Sequence, residues 1–155
     1  MGLKLQKSTA KKIYPDAPDW FKEVLEENFG KECFIKRDWR DIDSYEDAVE
    51  MRPVDEDDII YPTDRPHIVA LKKLCHITKV VNGNWEADFN DSKQPKWEQV
   101  FLSSGSGFDF SYSFTLYGLR GSIVGSRLCC ASKEQSDFIG QKFTTLFKVL
   151  ITNKN

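Results

Sequence analysis

Arg127 is the residue whose setting most invites a chemical role. It stands in Gly125-Ser126-Arg127-Leu128, among small and apolar neighbours. In an extended strand its guanidinium faces opposite to Ser126 and Leu128. The polar face it then joins carries Asp109, Ser111, Ser113, Thr115 and Tyr117, and Asp109 is the simplest carboxylate partner. The structural reading is a cross-strand ion pair. The functional reading is a clamp for a carboxylate or other anion, because arginine presents a fork of donors. An exposed pair contributes only about 0.2–1 kcal/mol, so on the structural reading Arg127→Ala barely shifts melting.

A second constellation is aromatic and basic. Trp85, Phe89 and Trp97 bracket a polar connector that also holds Lys93 and Lys96. Such aromatics either stack on bases or fill a partner's pocket, or they pin the connector to its own domain. Arg127, Asp109, Trp85, Trp97 and Lys96 are therefore the candidate binding residues.

Other chemistries lack their spacing. His76 has serines and aspartates available elsewhere in the chain, but no G-x-S-x-G flanks any serine, and a nucleophilic triad needs an oriented hydrogen-bond chain. Gly105-Ser106-Gly107 lies between two expected strands; a phosphate cradle sets its glycines before a helix. Asp88-Phe89-Asn90-Asp91 breaks the calcium-loop pattern and reads as side-chain turns. The cysteines, Cys33, Cys75, Cys129 and Cys130, form no C-x-x-C, and only His67 and His76 could complete a zinc set. They are expected to be reduced thiols of a cytosolic protein. No cofactor, metal or catalytic set is expected.

Charge narrows the partners. The chain carries 22 basic and 24 acidic residues, a net charge of −2, so no global basic field draws it to nucleic acid. Residues 41–64 hold ten acids against Arg52 alone, a local charge of −9. That stretch reads as a solvated acidic face compensated within the molecule by the mildly basic C-terminal half.

These residues need elements to position them. The chain has 155 residues, 40% of them hydrophobic and 13% aromatic, which suits one folded domain. Its apolar runs are too short for a transmembrane helix, and Met1-Gly2-Leu3-Lys4 lacks the apolar stretch of a signal peptide. A first helix is expected from an Asp16 cap to Gly30, through Phe21, Val24, Leu25 and Phe29. A second is capped by Ser44, with Asp47 completing the box, and ends before Pro53. A third runs from Pro66 to about Val81 with a buried stripe of Ile68, Leu71, Leu74, Cys75 and Thr78. The period then changes to two. Strands are expected at Trp97–Leu102, Phe108–Tyr117 and Ser122–Ala131, with a turn at Gly118–Gly121. Phe108, Phe110, Tyr112, Phe114 and Leu116 form the apolar face. Ser132 opens a last helix through Leu150 that covers this face, so Phe110→Asp should destabilise severely. The expected fold is α+β, a three-stranded antiparallel meander packed against helices in the order α-α-α-β-β-β-α. It forms a single domain over 1–155, helical in 8–82, with sheet and final helix in 97–151.

Several segments together resemble a known group. Thr9-Ala10-Lys11-Lys12-Ile13-Tyr14-Pro15 through Cys33, Asp43-Ser44-Tyr45-Glu46-Asp47-Ala48, Asn82-Gly83-Asn84-Trp85 with Asp88-Phe89-Asn90, Pro95-Lys96-Trp97 and Gly125-Ser126-Arg127-Leu128-Cys129 resemble small uncharacterised proteins encoded by phages, prophages and mobile elements of gut anaerobic bacteria. The resemblance covers most of the chain. Cys130 stands where the group carries Phe, and Glu98-Gln99-Val100-Phe101 replaces an aromatic-rich piece. The group has no assigned activity, so the resemblance implies fold and setting but no catalytic residues.

The expectation is therefore a non-catalytic accessory protein of a phage or mobile element. It would bind a protein or other macromolecule in the bacterial host cytoplasm, away from membranes. The second reading is a nucleic-acid-associated protein using Arg127, Lys96, Lys93 and the aromatics. The third is a small enzyme on a phosphorylated or nucleotide substrate, with Asp109 and Arg127 in one site. A deep pocket around Arg127 would favour a small substrate, a basic groove nucleic acid, and a flat patch a protein.

Overall fold

A computed structural model describes residues 5–35, 37–105, 107–115 and 125–152. The chain divides into two compact units, Met1–Asp38 and Trp39–Asn155. In the first, helix α1 (Lys7–Ile13) leads through a 3-10 turn to helix α2 (Asp19–Phe29). Asp16 falls in that turn, and Pro18 stands at the start of α2 without a side-chain cap. Gly30 stops α2 at φ 84°, a conformation that glycine adopts at little cost. Tyr14 and Phe34 stack with ring centroids 4.1 Å apart, and Phe29 meets Phe34 edge-on. The Tyr14 hydroxyl donates to the Glu26 carboxylate.

In the second unit, helix α3 (Tyr45–Met51) opens on the expected capping box. The Asp47 amide donates to the Ser44 hydroxyl, and the Asp47 carboxylate accepts from the Ser44 amide. Helix α4 (Pro66–Asn82) is the long central element. Of the expected stripe, Leu74, Cys75 and Thr78 are buried and Ile68 and Leu71 are half-buried, while Leu74 to Thr78 form five consecutive buried residues. The reason is that α4 is covered from several sides, by α3, by the segment around residues 56–58, by the turn at 126–128 and by the C-terminal helices.

Strands β1 (Trp97–Ser104) and β2 (Gly107–Thr115) form an antiparallel pair. Val100 pairs with Tyr112 but Phe101 pairs with Phe110, so Ser111 is the extra residue of a β-bulge. The bulge exchanges the faces of β2. Before it, Phe108 stacks on Phe101, and Phe110 meets the same ring edge-on. After it, Tyr112 is exposed and Ser113 is buried, donating to the Ser136 hydroxyl at 2.8 Å. The unbroken apolar face expected from Phe108 to Leu116 is thereby corrected; Leu116 and Tyr117 lie outside the described residues.

The third strand is also corrected. Among the described residues the sheet has two strands. Gly125 takes φ 81°, Ser126–Leu128 is a 3-10 turn, and only Cys130 reaches the sheet, through one antiparallel bridge to Trp97. The left-handed glycine ends any extended run there, and the Leu128 amide and Cys129 thiol close the turn on the Gly125 carbonyl. Residues 116–124, including the expected turn and the start of that strand, lie outside the described residues.

The single C-terminal helix is two. Helix α5 (Lys133–Lys142) starts on the Ser132 cap, and helix α6 (Thr144–Thr152) follows a break at Phe143, φ −112° and ψ 26°. The Thr144 hydroxyl takes the Gly140 carbonyl at 2.7 Å. Phe143 and Phe147, four positions apart, both enter the core with Ile42, Leu74, Ile77, Val81, Leu128 and Ile139. As expected, this end of the chain covers the phenylalanines of the hairpin. Phe101 stacks on Phe147 at 4.4 Å, and Phe110 lies against Gly140. A methyl at Gly140 would sit 2.3 Å from the Phe110 ring. Overpacking of about 3 kcal/mol then outweighs the roughly 1 kcal/mol that alanine adds to a helix. Gly140→Ala should lower stability by about 2 kcal/mol net in urea unfolding; an unchanged midpoint would mean that the ring moves aside freely. No helix among the described residues is long and apolar enough to cross a membrane.

Candidate functional site

The acidic stretch is bound down as well as solvated. Asp64 pairs with Lys72 at 2.7 Å, and Asp55 pairs with Lys79. The Lys79 bond holds the Asp55 carboxyl below its ordinary pKa, and the same bond raises Lys79. Asp58, in the 3-10 turn Glu56–Asp58, is fully buried. Its Oδ1 accepts from Arg127 Nη2, and its Oδ2 lies 3.6 Å from Lys79 Nζ. Taking a carboxylate out of water is costly, and partners placed this close offset part of that cost. Arg127 thus answers to Asp58 on the acidic segment, and the expected pairing with Asp109 is corrected: the turn at Gly125 takes Arg127 off the sheet face.

Arg127 is not consumed by this pair. Its side chain keeps 48% of its surface exposed and lines a cleft of about 350 Å3. Arg52, Lys79, Asn82, Trp85 and Ser126 share the lining. One wall is the C-terminal end of α4, and the other is the 126–128 turn. Asn82 ties them together: its Nδ2 donates to the Cys129 carbonyl at 2.8 Å, and its Oδ1 accepts from the Ala131 amide at 3.2 Å. Gln135 adds a bond from its Nε2 to the Val81 carbonyl at 2.8 Å. Gly83, at φ 63°, turns the chain out of α4 so that Trp85 follows along the rim. Hydrogen bonds between side chains and backbone hold such walls in place.

Of the candidate residues, Arg127 and Trp85 meet at this cleft and three others do not. Asp109 is exposed on β2, opposite Leu102. Lys96 is buried, donating to the Asp91 and Gln94 carbonyls with Phe89 beneath its ammonium, so it fastens the connector. Trp97 packs on the core and exchanges both backbone hydrogen bonds with Cys130. The connector's acids make side-chain turns: Asp88 accepts from the Asn90 amide and Asp91 from the Lys93 amide, both at 2.8 Å. Arg52 and Lys79 carry no signal of their own in the sequence, and Asp58 is one of four acids in the acidic loop at residues 55–58, the candidate next after Arg127.

Burial pushes the Cys75 thiol up to about 11, so it is protonated at neutral pH. His76 is buried beside Tyr45, and burial lowers its pKa. Among the described residues no group of three or more histidines, cysteines and carboxylates could hold a metal ion. The four cysteines are free thiols, with Cys33 the partly exposed one and Cys75, Cys129 and Cys130 buried. Alkylation of the native protein at pH 7 should therefore modify Cys33 first and leave the other three until the chain unfolds. Early labelling of Cys75, read by peptide mass, would show that the floor of the cleft opens.

No protein family, curated protein or solved structure matches the chain.

Proposed function

We propose that the protein is a small non-catalytic binding module, and that the Arg127 cleft is its recognition site. One observation carries this reading: a half-exposed guanidinium is set on a fully buried carboxylate at the edge of a concave, hydrogen-bonded cleft. Burying Asp58 costs free energy that the fold must recover through its partners. The arrangement also fixes where Arg127 points, and a preset donor loses less freedom on binding. The protonated Cys75 thiol at the same cleft favours binding over nucleophilic catalysis. The cleft is too small to take a macromolecule whole, so it receives one group, free or carried by a partner. Nucleic acid is disfavoured, since Lys79 and Arg127 at the cleft are already paired with carboxylates and nonspecific affinity comes from unneutralised cations. The resemblance to phage and mobile-element proteins supplies the setting, a bacterial host cytoplasm.

The test is an affinity pull-down from the lysate of a gut anaerobe, with and without nuclease, using the parent, Arg127→Lys and Trp85→Ala. Arg127→Lys keeps the charge facing Asp58 but removes the fork. A partner retained by the parent and lost from both variants supports the reading. A partner held equally by all three places recognition elsewhere.

A further inference from the structure

We infer that the cleft binds a small flat-ring oxyanion of about mononucleotide size, a phosphate monoester or a carboxylate, with its charge on Arg127 and its ring beside Trp85. This rests on the cleft being the recognition site and names what it recognises. Arg127 spends Nη2 on Asp58 Oδ1; a guanidinium has five N–H groups on two edges, and the half-exposed remainder borders the cleft. An arginine anchored on one edge and open on the other is arranged to receive a two-oxygen acceptor. Arg52, also on the lining, makes one long bond of 3.4 Å to the Gly83 carbonyl. Thr78 lines the cleft with 1% exposure, and its buried hydroxyl has no hydrogen-bond partner among the described residues. Buried hydroxyls are rarely left so.

Size and charge narrow the ligand further. About 350 Å3 is near the lower end of small-molecule sites, which start at roughly 300 Å3. Asp57 and Glu86 also lie on the lining. They oppose the cations and disfavour a polyanion such as a triphosphate or a nucleic-acid backbone, while one oxyanion held at Arg127 is compatible with them.

The test is calorimetric titration of the full chain at low salt with adenosine monophosphate, nicotinate, adenosine, inorganic phosphate and adenosine triphosphate. The expected result is saturable binding of adenosine monophosphate or nicotinate, which tells phosphate from carboxylate. Adenosine, inorganic phosphate and the triphosphate should each bind about tenfold or more weakly than the preferred probe. Arg127→Lys should weaken binding about tenfold or more, the loss expected for a hydrogen bond to a charged group. Trp85→Ala should weaken it similarly with the fold intact by circular dichroism. Absence of binding by both preferred probes at millimolar concentration overturns the inference, as does binding that neither variant weakens. If it is overturned while a pull-down partner is lost from both variants, the binding module stands and only the ligand class falls. If both experiments are blank, the cleft is no recognition site.

Discussion

Arg127→Ala should lower stability by about 2–3 kcal/mol, well beyond what a surface ion pair contributes. The reason lies in its partner. Asp58 is fully buried, and Arg127 is the cation hydrogen-bonded to it. Removing one member of a buried pair typically costs about 3–5 kcal/mol because the other charge is left without compensation. The expected value is lower here because Arg127 is half exposed and Lys79 remains 3.6 Å from the other carboxylate oxygen. A companion variant separates this cause from lost packing. Asp58→Asn removes the stranded charge, so the double variant with Arg127→Ala should be more stable than Arg127→Ala alone. Urea unfolding of the four proteins closes the cycle. An Arg127→Ala midpoint within error of the parent would mean that water reaches Asp58.

Phe147→Ala should cost about 3–5 kcal/mol, the usual range for removing a buried aromatic ring. Phe147 is 1% exposed, stacks on Phe101 of β1 at 4.4 Å and sits on α6, which packs along α4. It therefore joins the hairpin to the helices, and its loss opens a cavity at their meeting point. A domain stable by about 5–15 kcal/mol can be left partly unfolded by such a change. Phe147→Leu provides a milder variant, expected to lose less than about 1.5 kcal/mol. A Phe147→Ala loss below 1 kcal/mol in denaturant titration would show that α6 is not part of the cooperative core.

What could be read from the chain beforehand follows the range of each interaction. The Ser44–Asp47 box and the Ser132 cap span three residues, so their signals are local and the helices start where expected. The stop after α4 at Gly83 is similarly local. The bulge at Ser111 depends on how β2 registers against β1, and an alternating run of phenylalanines reads the same with or without it. The break at Phe143 leaves no local mark, because Ile139, Phe143, Phe147 and Leu150 keep helical spacing straight through it. The Arg127–Asp58 pair spans 69 positions and selects one of ten acids in residues 41–64; nothing in the neighbourhood of Asp58 distinguishes it from Asp57. Arg127 and Trp85 were legible because an arginine among small residues and a tryptophan in a polar connector are unusual. Lys96 and Trp97 have the same character but serve the fold, and only their hydrogen bonds and burial reveal it.

On this reading, recognition takes place in the cleft between the end of α4 and the 126–128 turn. Amide hydrogen exchange read by mass spectrometry, with and without the partner or probe that the parent retains, tests it most directly. Added protection should be confined to peptides covering residues 79–87 and 125–131, with the exposed Trp20 segment of α2 and the Leu102–Tyr112 side of the hairpin unchanged. Protection centred on either of those two surfaces, with the cleft peptides unchanged, would contradict it.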